Sequence, residues 1–213
     1  MRRVWDAVAE EELVLPQRAT LGSLYRLLGT GVNGTVSLIE IRGADRGLDL
    51  LTVTHGDLDY RDYLRTEWNE YGGSVSPDGM RVAYVSDQST QAEVYVRGSF
   101  PEPGERVPVS IEGGAEPVWA PDGNAIYFRS LDGSGLMKSL VRPEGGFSVP
   151  TRVLEDRWAM AVAASYGRNW DVHPEGGSFV FVTRPEGGDD ATPIVPLELI
   201  SNFFQLLRDL DPN

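Results

Sequence analysis

An all-β fold of repeated four-stranded antiparallel sheets is what the sequence predicts, and three observations predict it. A hairpin with a Pro-Asp-Gly or Pro-Glu-Gly bend recurs three times. Its copies stand 44 residues apart from Ser76 to Ala120 and 53 apart from Ala120 to His173, the length of four strands with their turns and too long for one hairpin. The 213 residues include 24 Gly and 14 Pro, a composition that favours turns and leaves little room for long helices.

The three copies run Gly73–Val85, Pro117–Arg129 and Trp170–Val182. Each sets a short strand, then Pro77-Asp78-Gly79, Pro121-Asp122-Gly123 or Pro174-Glu175-Gly176, then a β-branched and aromatic strand. Proline fixes the first φ of such a bend and glycine supplies the positive φ that closes it. After the first bend, Ala92–Arg97 reads as a half-buried strand, and Arg106–Ile111 as an outer strand whose Pro108 is tolerated at an edge. The second unit repeats the plan with Ile126–Ser130, Leu136–Val141 and Thr151–Leu154.

Upstream, Leu24–Leu28, Thr35–Ile41 and Leu50–Thr54 read as a degenerate unit that has lost its Pro-Asp-Gly bend. Downstream, Ile194–Leu199 reads as a strand and Ser201–Leu210 as a short amphipathic helix with Ser201 as its N-cap. The expected organisation is therefore one β-propeller domain with about four blades visible. It divides into a remnant or N-terminal strand at 1–16, a degenerate blade at 17–63, blades at 64–112 and 113–162, and a terminal blade with its helix at 163–213.

At Ser76-Pro77-Asp78-Gly79-Met80-Arg81-Val82-Ala83-Tyr84-Val85-Ser86-Asp87 the chain resembles the TolB-like, WD-repeat-like family of β-propeller repeats. The likeness continues through Glu93–Arg97, Gly113–Trp119, Tyr127–Ser130 and Gly145–Ser148. More narrowly, the chain is similar to the C-terminal sensor-like propellers of bacterial serine/threonine protein kinases and their stand-alone relatives, which share an ending like Asn202-Phe203-Phe204. The resemblance covers 64–210 well and 13–63 loosely. Ala120 and His173 stand where the family has serine, and Glu175 where it has aspartate. The family closes its ring with more blades than are visible here, so the resemblance implies either closure with fewer blades or an incomplete ring open to self-association through an unpaired edge. It also implies protein–protein contact or extracytoplasmic sensing, as the C-terminal piece of a larger TolB-like or kinase-associated protein.

Charge narrows the partners. With 19 Lys and Arg against 32 Asp and Glu, a net charge of −13 repels nucleic acid and anionic lipid. The absence of cysteine excludes disulfides, thiol nucleophiles and cysteine-ligated metals. No apolar run reaches the length of a membrane span, and Asp6 with Glu10–Glu12 breaks any signal-like N-terminus. The chain as written thus reads as cytoplasmic, or as periplasmic or extracytoplasmic if it is part of a longer exported protein.

Catalytic motifs are missing. There is no Gly-x-Ser-x-Gly elbow, and no kinase Gly-rich loop, His-Arg-Asp or Asp-Phe-Gly. Only His55 and His173 offer imidazole, and His173 occupies a bend position. The stretch His55–Asp62 offers metal-binding atoms but lacks the glycine and distal glutamate of a calcium loop, so it reads as a solvated acidic loop with Arg61 as counterion. Asp78 and Asp122 read as acceptors for bend amides. Tyr84, Tyr95, Tyr127, Phe128, Phe179 and Phe181 read as packing between blades.

The residues just before each bend strand should reach the mouth of a central channel: Tyr71, Glu116, Arg168 and Asn169. The expectation is a non-catalytic recognition or scaffold module, without cofactor or metal, that takes a protein, a peptide or a small polar ligand. The alternatives are the propeller half of a hydrolase or peptidase whose catalytic part lies elsewhere, and a structural remnant with no ligand.

Overall fold

The computed structural model describes residues 21–31, 34–43, 47–55, 59–133, 135–155, 168–182 and 197–200. The expected N-terminal remnant and the expected helix at Ser201–Leu210 lie outside them. The described chain is a β-propeller of antiparallel sheets, each following the last in sequence. The first sheet takes β1 (Leu21–Thr30), β2 (Val36–Gly43), β3 (Leu48–Thr54) and β4 (Asp59–Leu64) in that order. The second takes β5 (Glu70–Val75), β6 (Val82–Ser86), β7 (Glu93–Arg97) and β8 (Arg106–Pro108). The third takes β9 (Ala115–Trp119), β10 (Ala125–Arg129), β11 (Gly135–Leu140) and β12 (Thr151–Glu155). The fourth, among the described residues, has β13 (Trp170–Val172), β14 (Phe179–Val182) and β15 (Leu197–Ile200).

The leading strands make the inner wall. β5 lies against β1 and β9, and β13 against β9. No comparable contact runs from β13 back to β1 among the described residues, so these sheets form an arc. No helix among them is long and apolar enough to cross a membrane.

Two-sided burial explains the apolar runs of the middle strands. On β6, Val82 and Tyr84 join Leu38, Leu50 and Tyr63 of the first sheet, whereas Ala83 and Val85 join Trp119, Ile126 and Phe128 of the third. On β10, Ala125 and Tyr127 turn the other way, toward Trp170, Phe179 and Phe181 of the fourth. Alternate side chains thus feed opposite neighbours, and every residue of β6 and β10 is buried. Tyr127 meets Phe179 edge-on with ring centroids 5.1 Å apart, which fixes how the third and fourth sheets face.

The repeated bend has one hydrogen-bond pattern. Ser76 N–H donates to Arg81 O at 2.8 Å, Ala120 N–H to Ala125 O at 2.8 Å, and His173 N–H to Ser178 O at 2.9 Å. Inside each, Gly79, Gly123 and Gly176 donate back to Ser76, Ala120 and His173. Their φ values are +67°, +71° and +73°, a type I turn completed by a left-handed residue. Asp78 Oδ1 accepts Met80 N–H and Asp122 Oδ1 accepts Asn124 N–H, both at 3.0 Å. In the third bend His173 Nδ1 accepts Glu175 N–H at 3.2 Å.

Three sequence expectations need correction. The first unit keeps the bend although it lost Pro-Asp: Gly31 N–H donates to Val36 O at 2.8 Å, Gly34 N–H to Gly31 O at 3.1 Å, and Gly34 has φ +65°. The left-handed glycine, not the proline, is what the closure requires. The acidic stretch His55–Asp62 is not all loop, because Asp59–Leu64 is β4, paired to β3. Its exposed edge tolerates Asp59, Arg61 and Asp62, and Arg61 Nε binds Asp59 Oδ2 at 3.0 Å. The proposed outer strand Arg106–Ile111 also shortens to Arg106–Pro108.

Two substitutions separate the bend from the packing. Nothing lies within 4 Å of a Cβ added at Gly34, so Gly34→Ala should cost only the left-handed backbone, about 1 kcal/mol in urea unfolding. Phe128→Ala, which empties a site 1% exposed between two sheets, should cost about 4 kcal/mol.

Candidate functional site at the channel mouth

The bend register makes four positions equivalent. Counting back four residues from Gly31, Ser76, Ala120 and His173 gives Leu27, Gly72, Glu116 and Asn169 on the successive inner strands, with Arg26, Tyr71, Ala115 and Arg168 just before them. The mouth is the end of the channel away from the bends. A bulge forms there in two sheets alike: between Tyr71 and Ser74 on β5, and between Ala115 and Val118 on β9. Gly72 has φ +62° and Glu116 φ +54°. Glycine takes that conformation freely, but glutamate does so at a cost of about 1 kcal/mol.

Contacts of the Glu116 carboxylate show what offsets that strain. Its Oε2 accepts Trp170 Nε1 at 2.7 Å and Arg129 Nε at 3.2 Å. Arg129, a charged residue in the buried strand β10, also donates from Nη2 to Asn169 Oδ1 at 3.0 Å. One carboxylate and one guanidinium therefore tie the third sheet to the fourth. The first and second sheets are tied in the same way: buried Glu40 on β2 accepts Gly72 N–H at 2.7 Å and pairs with Arg26 at 3.5 Å.

Of the four residues expected at the mouth, Glu116 and Asn169 are brought together through Arg129. Tyr71 is half-buried on β5. Burial raises its phenol above the ordinary value, and the negative Asp87, Glu40 and Glu116 raise it further, so it remains a neutral hydroxyl. Arg168 does not join this group. Its guanidinium donates to Trp170 O at 2.7 Å and pairs with Asp171 at 3.1 Å. Sequence reasoning missed Arg26, Glu40 and Arg129. Their signal was a charge inside an apolar strand, which can be buried only with a partner.

Behind Tyr71 the mouth is acidic. Glu70 is buried and accepts Thr66 Oγ1 at 2.6 Å, while Asn69 N–H donates to Asp87 at 2.9 Å. Burial raises the Glu70 carboxyl, Asp49 and Asp87 add repulsion, and the Thr66 hydrogen bonds only partly oppose this. At the bend end, burial also pushes Asp78 upward, but the Ser76 hydroxyl, Met80 N–H and Arg81 together hold it below its ordinary value.

Among the described residues one hydroxyl–imidazole pair is assembled, away from the mouth. Ser37 Oγ lies 2.7 Å from His55 Nε2, but Ser37 is only 5% exposed and sits at the bend end of β2. Among the described residues no group of three or more His, Asp or Glu side chains is placed to hold a metal ion. The mouth offers hydrogen-bond donors, acceptors and a neutral phenol.

No family model and no curated protein sequence matches the chain. Solved structures do. TolB from Acinetobacter baumannii is similar over 82% of this chain and 40% of its own, at 16% identity and TM-score 0.54. A putative TolB from Agrobacterium tumefaciens is similar over 82% of this chain and 60% of its own, at 19% identity and TM-score 0.57. A prolyl endopeptidase is similar over 75% of this chain and 26% of its own, at 15% identity and TM-score 0.50. The fold is thus that of a TolB-like propeller, and the chain spans less than two thirds of each of these proteins.

Two predictions follow from the buried charges. Glu116→Ala removes the carboxylate that pairs with buried Arg129 and should cost about 3 kcal/mol in urea unfolding, whereas Glu116→Ala with Arg129→Met should recover most of that loss. Glu70 binds its proton more tightly folded than unfolded. Its contribution is therefore most favourable at or below the ordinary value of 4.5 and is lost as pH rises through the raised value. Relative to Glu70→Gln, the native chain should lose stability as unfolding is followed from about pH 4 to about pH 8.

Proposed function

We propose that the chain is a non-catalytic recognition module whose mouth-side face binds a protein or peptide segment. The observation that carries this reading is Glu116, a non-glycine residue held at φ +54° so that its carboxylate, Asn169 and Tyr71 stand at one rim. Strain kept at a residue whose neighbour in the repeat is a relaxed glycine is the mark of a position with a task.

Apolar surface on the same face supports a macromolecular partner. Leu27 is 68% exposed on β1, Trp68 38% in the β4–β5 connection, Ile111 62% in the β8–β9 connection and Leu131 45% in the β10–β11 turn. Antiparallel order brings all of these connections to the mouth end. An apolar rim around a polar centre matches a protein interface better than a small-metabolite site. The likeness to TolB propellers agrees with this reading, and the sequence likeness to kinase-appended sensors would make the chain the sensing piece of a larger receptor.

A second reading draws on the prolyl endopeptidase and on a putative 6-phosphogluconolactonase from Bacteroides uniformis, which is similar at 14% identity and TM-score 0.50. It makes the chain the propeller part of a hydrolase.

A displayed peptide library separates the two. Peptides selected on the native chain should lose at least about tenfold in affinity, roughly 1.4 kcal/mol, with Tyr71→Ala or Ile111→Asp. Circular dichroism should be unchanged, and the protein should not cleave generic ester or peptide substrates. Equal binding by both variants would remove the mouth from the interface. Turnover that Ser37→Ala abolishes would make the chain an enzyme.

A further inference from the structure

Among the described residues, arginines that lose water on folding meet a carboxylate, with one exception. Arg26, Arg81 and Arg129 are partly or fully buried, and each lies within 3.5 Å of a carboxylate. Arg97, half-buried at the end of β7, pairs with none among the described residues. Its Nε donates to Tyr84 Oη at 3.2 Å and its Nη1 to Gly104 O at 2.5 Å, which leaves Nη2 unspent. Directly across the ladder stands a second cation, Arg106 of β8. Arg106 meets no described carboxylate either: its guanidinium lies 4.7 Å from the centre of the Tyr95 ring and donates to Gln88 Oε1. Like charges placed opposite each other destabilise a ladder, and they stand unneutralised in a chain with 32 Asp and Glu.

A buried hydroxyl points the same way. Tyr63 on β4 is 3% exposed and packs edge-on against Phe100 with ring centroids 5.6 Å apart, and its Oη has no hydrogen-bond partner among the described residues. Burial raises its phenol above the ordinary value, Tyr84 raises it further, and the charge of Arg97 opposes both, so the hydroxyl lies within the field of that guanidinium. Tyr84 accepts from Arg97 and still has its own proton to give. Buried donors left without an acceptor are costly. We propose that Arg97, Arg106, Tyr63 and Tyr84 form a binding site for a tetrahedral oxyanion, a phosphate or sulfate group, on the outer side of the junction between the first and second sheets. All four groups present N–H or O–H donors, and guanidinium forks match the paired oxygens of such an anion. A carboxylate has only two oxygens for donors on four side chains, whereas phosphate and sulfate have four. Arg106 is exposed and Arg97 half-buried, so the anion enters from the solvent side. Gln88, Gly104 and the Tyr95 ring hold both guanidiniums in place beforehand. The site lies on β4, β6, β7 and β8, apart from Glu116 and Asn169, so it and the mouth can each fail without the other.

Inorganic phosphate is the probe, titrated into the full chain at constant ionic strength with chloride as the balance and followed by urea unfolding. The unfolding midpoint should rise and saturate; sulfate should reproduce the effect and acetate should not. Arg97→Gln should weaken the apparent phosphate Kd at least about tenfold, and Tyr63→Phe and Arg106→Gln at least about threefold each, whereas Arg152→Gln, exposed on β12, should leave it unchanged. Should Arg97→Gln fail to fold, Tyr63→Phe and Arg106→Gln decide. Tyr63→Phe keeps the ring and removes only the hydroxyl, so in chloride alone its stability should be unchanged or higher, and a merely structural hydroxyl would not move the phosphate affinity. Binding of O-phosphoserine as tight as that of inorganic phosphate would make an esterified phosphate the source, and weaker binding would make it the free ion; both results support the site. A midpoint that climbs without saturating, and equally in every variant, reflects general exclusion of phosphate from the protein surface and would overturn the proposal. Unchanged phosphate affinity in Tyr63→Phe or in folded Arg97→Gln would overturn it as well.

Discussion

A sheet that is apolar on both faces cannot be stable alone, and this constraint organises the molecule. The middle strands of the second and third sheets bury every side chain, half against one neighbour and half against the other. At about 25 cal/mol per Å² of apolar surface, leaving either face of such a strand in water would cost several kcal/mol, a large share of a domain's whole margin of stability. The sheets must therefore stand face to face in series, and right-handed twist fans them about an axis along which the leading strands meet.

Polar groups then face a harder problem at that axis than in a sandwich. The inner strands are close together, their amides compete for partners, and any charge placed there loses water. The protein answers by letting charges cross between sheets. Glu40 reaches Gly72 N–H of the second sheet, Arg129 reaches Asn169 before the fourth, and Trp119 Nε1 donates to Ser74 O of the second at 3.0 Å. Arg81 lies 4.5 Å above the same Trp119 ring, a second tie between the second and third sheets at the bend end. Apolar burial sets which sheets adjoin, whereas these directional contacts set their angle.

Much of this was legible. Ser76-Pro77-Asp78-Gly79 and Pro121-Asp122-Gly123 announced hairpins because turn chemistry is local, and the 44-residue interval from Ser76 to Ala120 announced the sheet size because four strands must fit between bends. Gly31–Val36 hides its bend from the sequence because it lacks proline, whereas the left-handed Gly34 is what closes it. β4 was hidden because an edge strand with one watered side can carry Asp59, Arg61 and Asp62 like a loop. At the mouth, Tyr71, Glu116 and Asn169 could be placed by counting from the bend, but their partners could not. Arg129 and Glu40 lie on different strands from the groups they bind, and only the stacking of sheets brings them within reach.

Position also bears on chemistry. Ser37 and His55 have the spacing of a hydrolytic pair, yet spacing alone does not make a nucleophile: the substrate carbonyl must reach the hydroxyl, and donors must meet the developing oxyanion. Ser37 is buried at the bend end of the first sheet, on the face that carries Ile39 and Ile41, and its hydroxyl already spans Thr30 and His55. The strained glutamate, the neutral phenol and the apolar rim lie at the opposite end. The buried hydroxyl–imidazole pair and the mouth-side groups therefore stand at opposite ends of the sheets, because β2 begins and β3 ends at the bend end whereas β5 and β9 begin at the mouth.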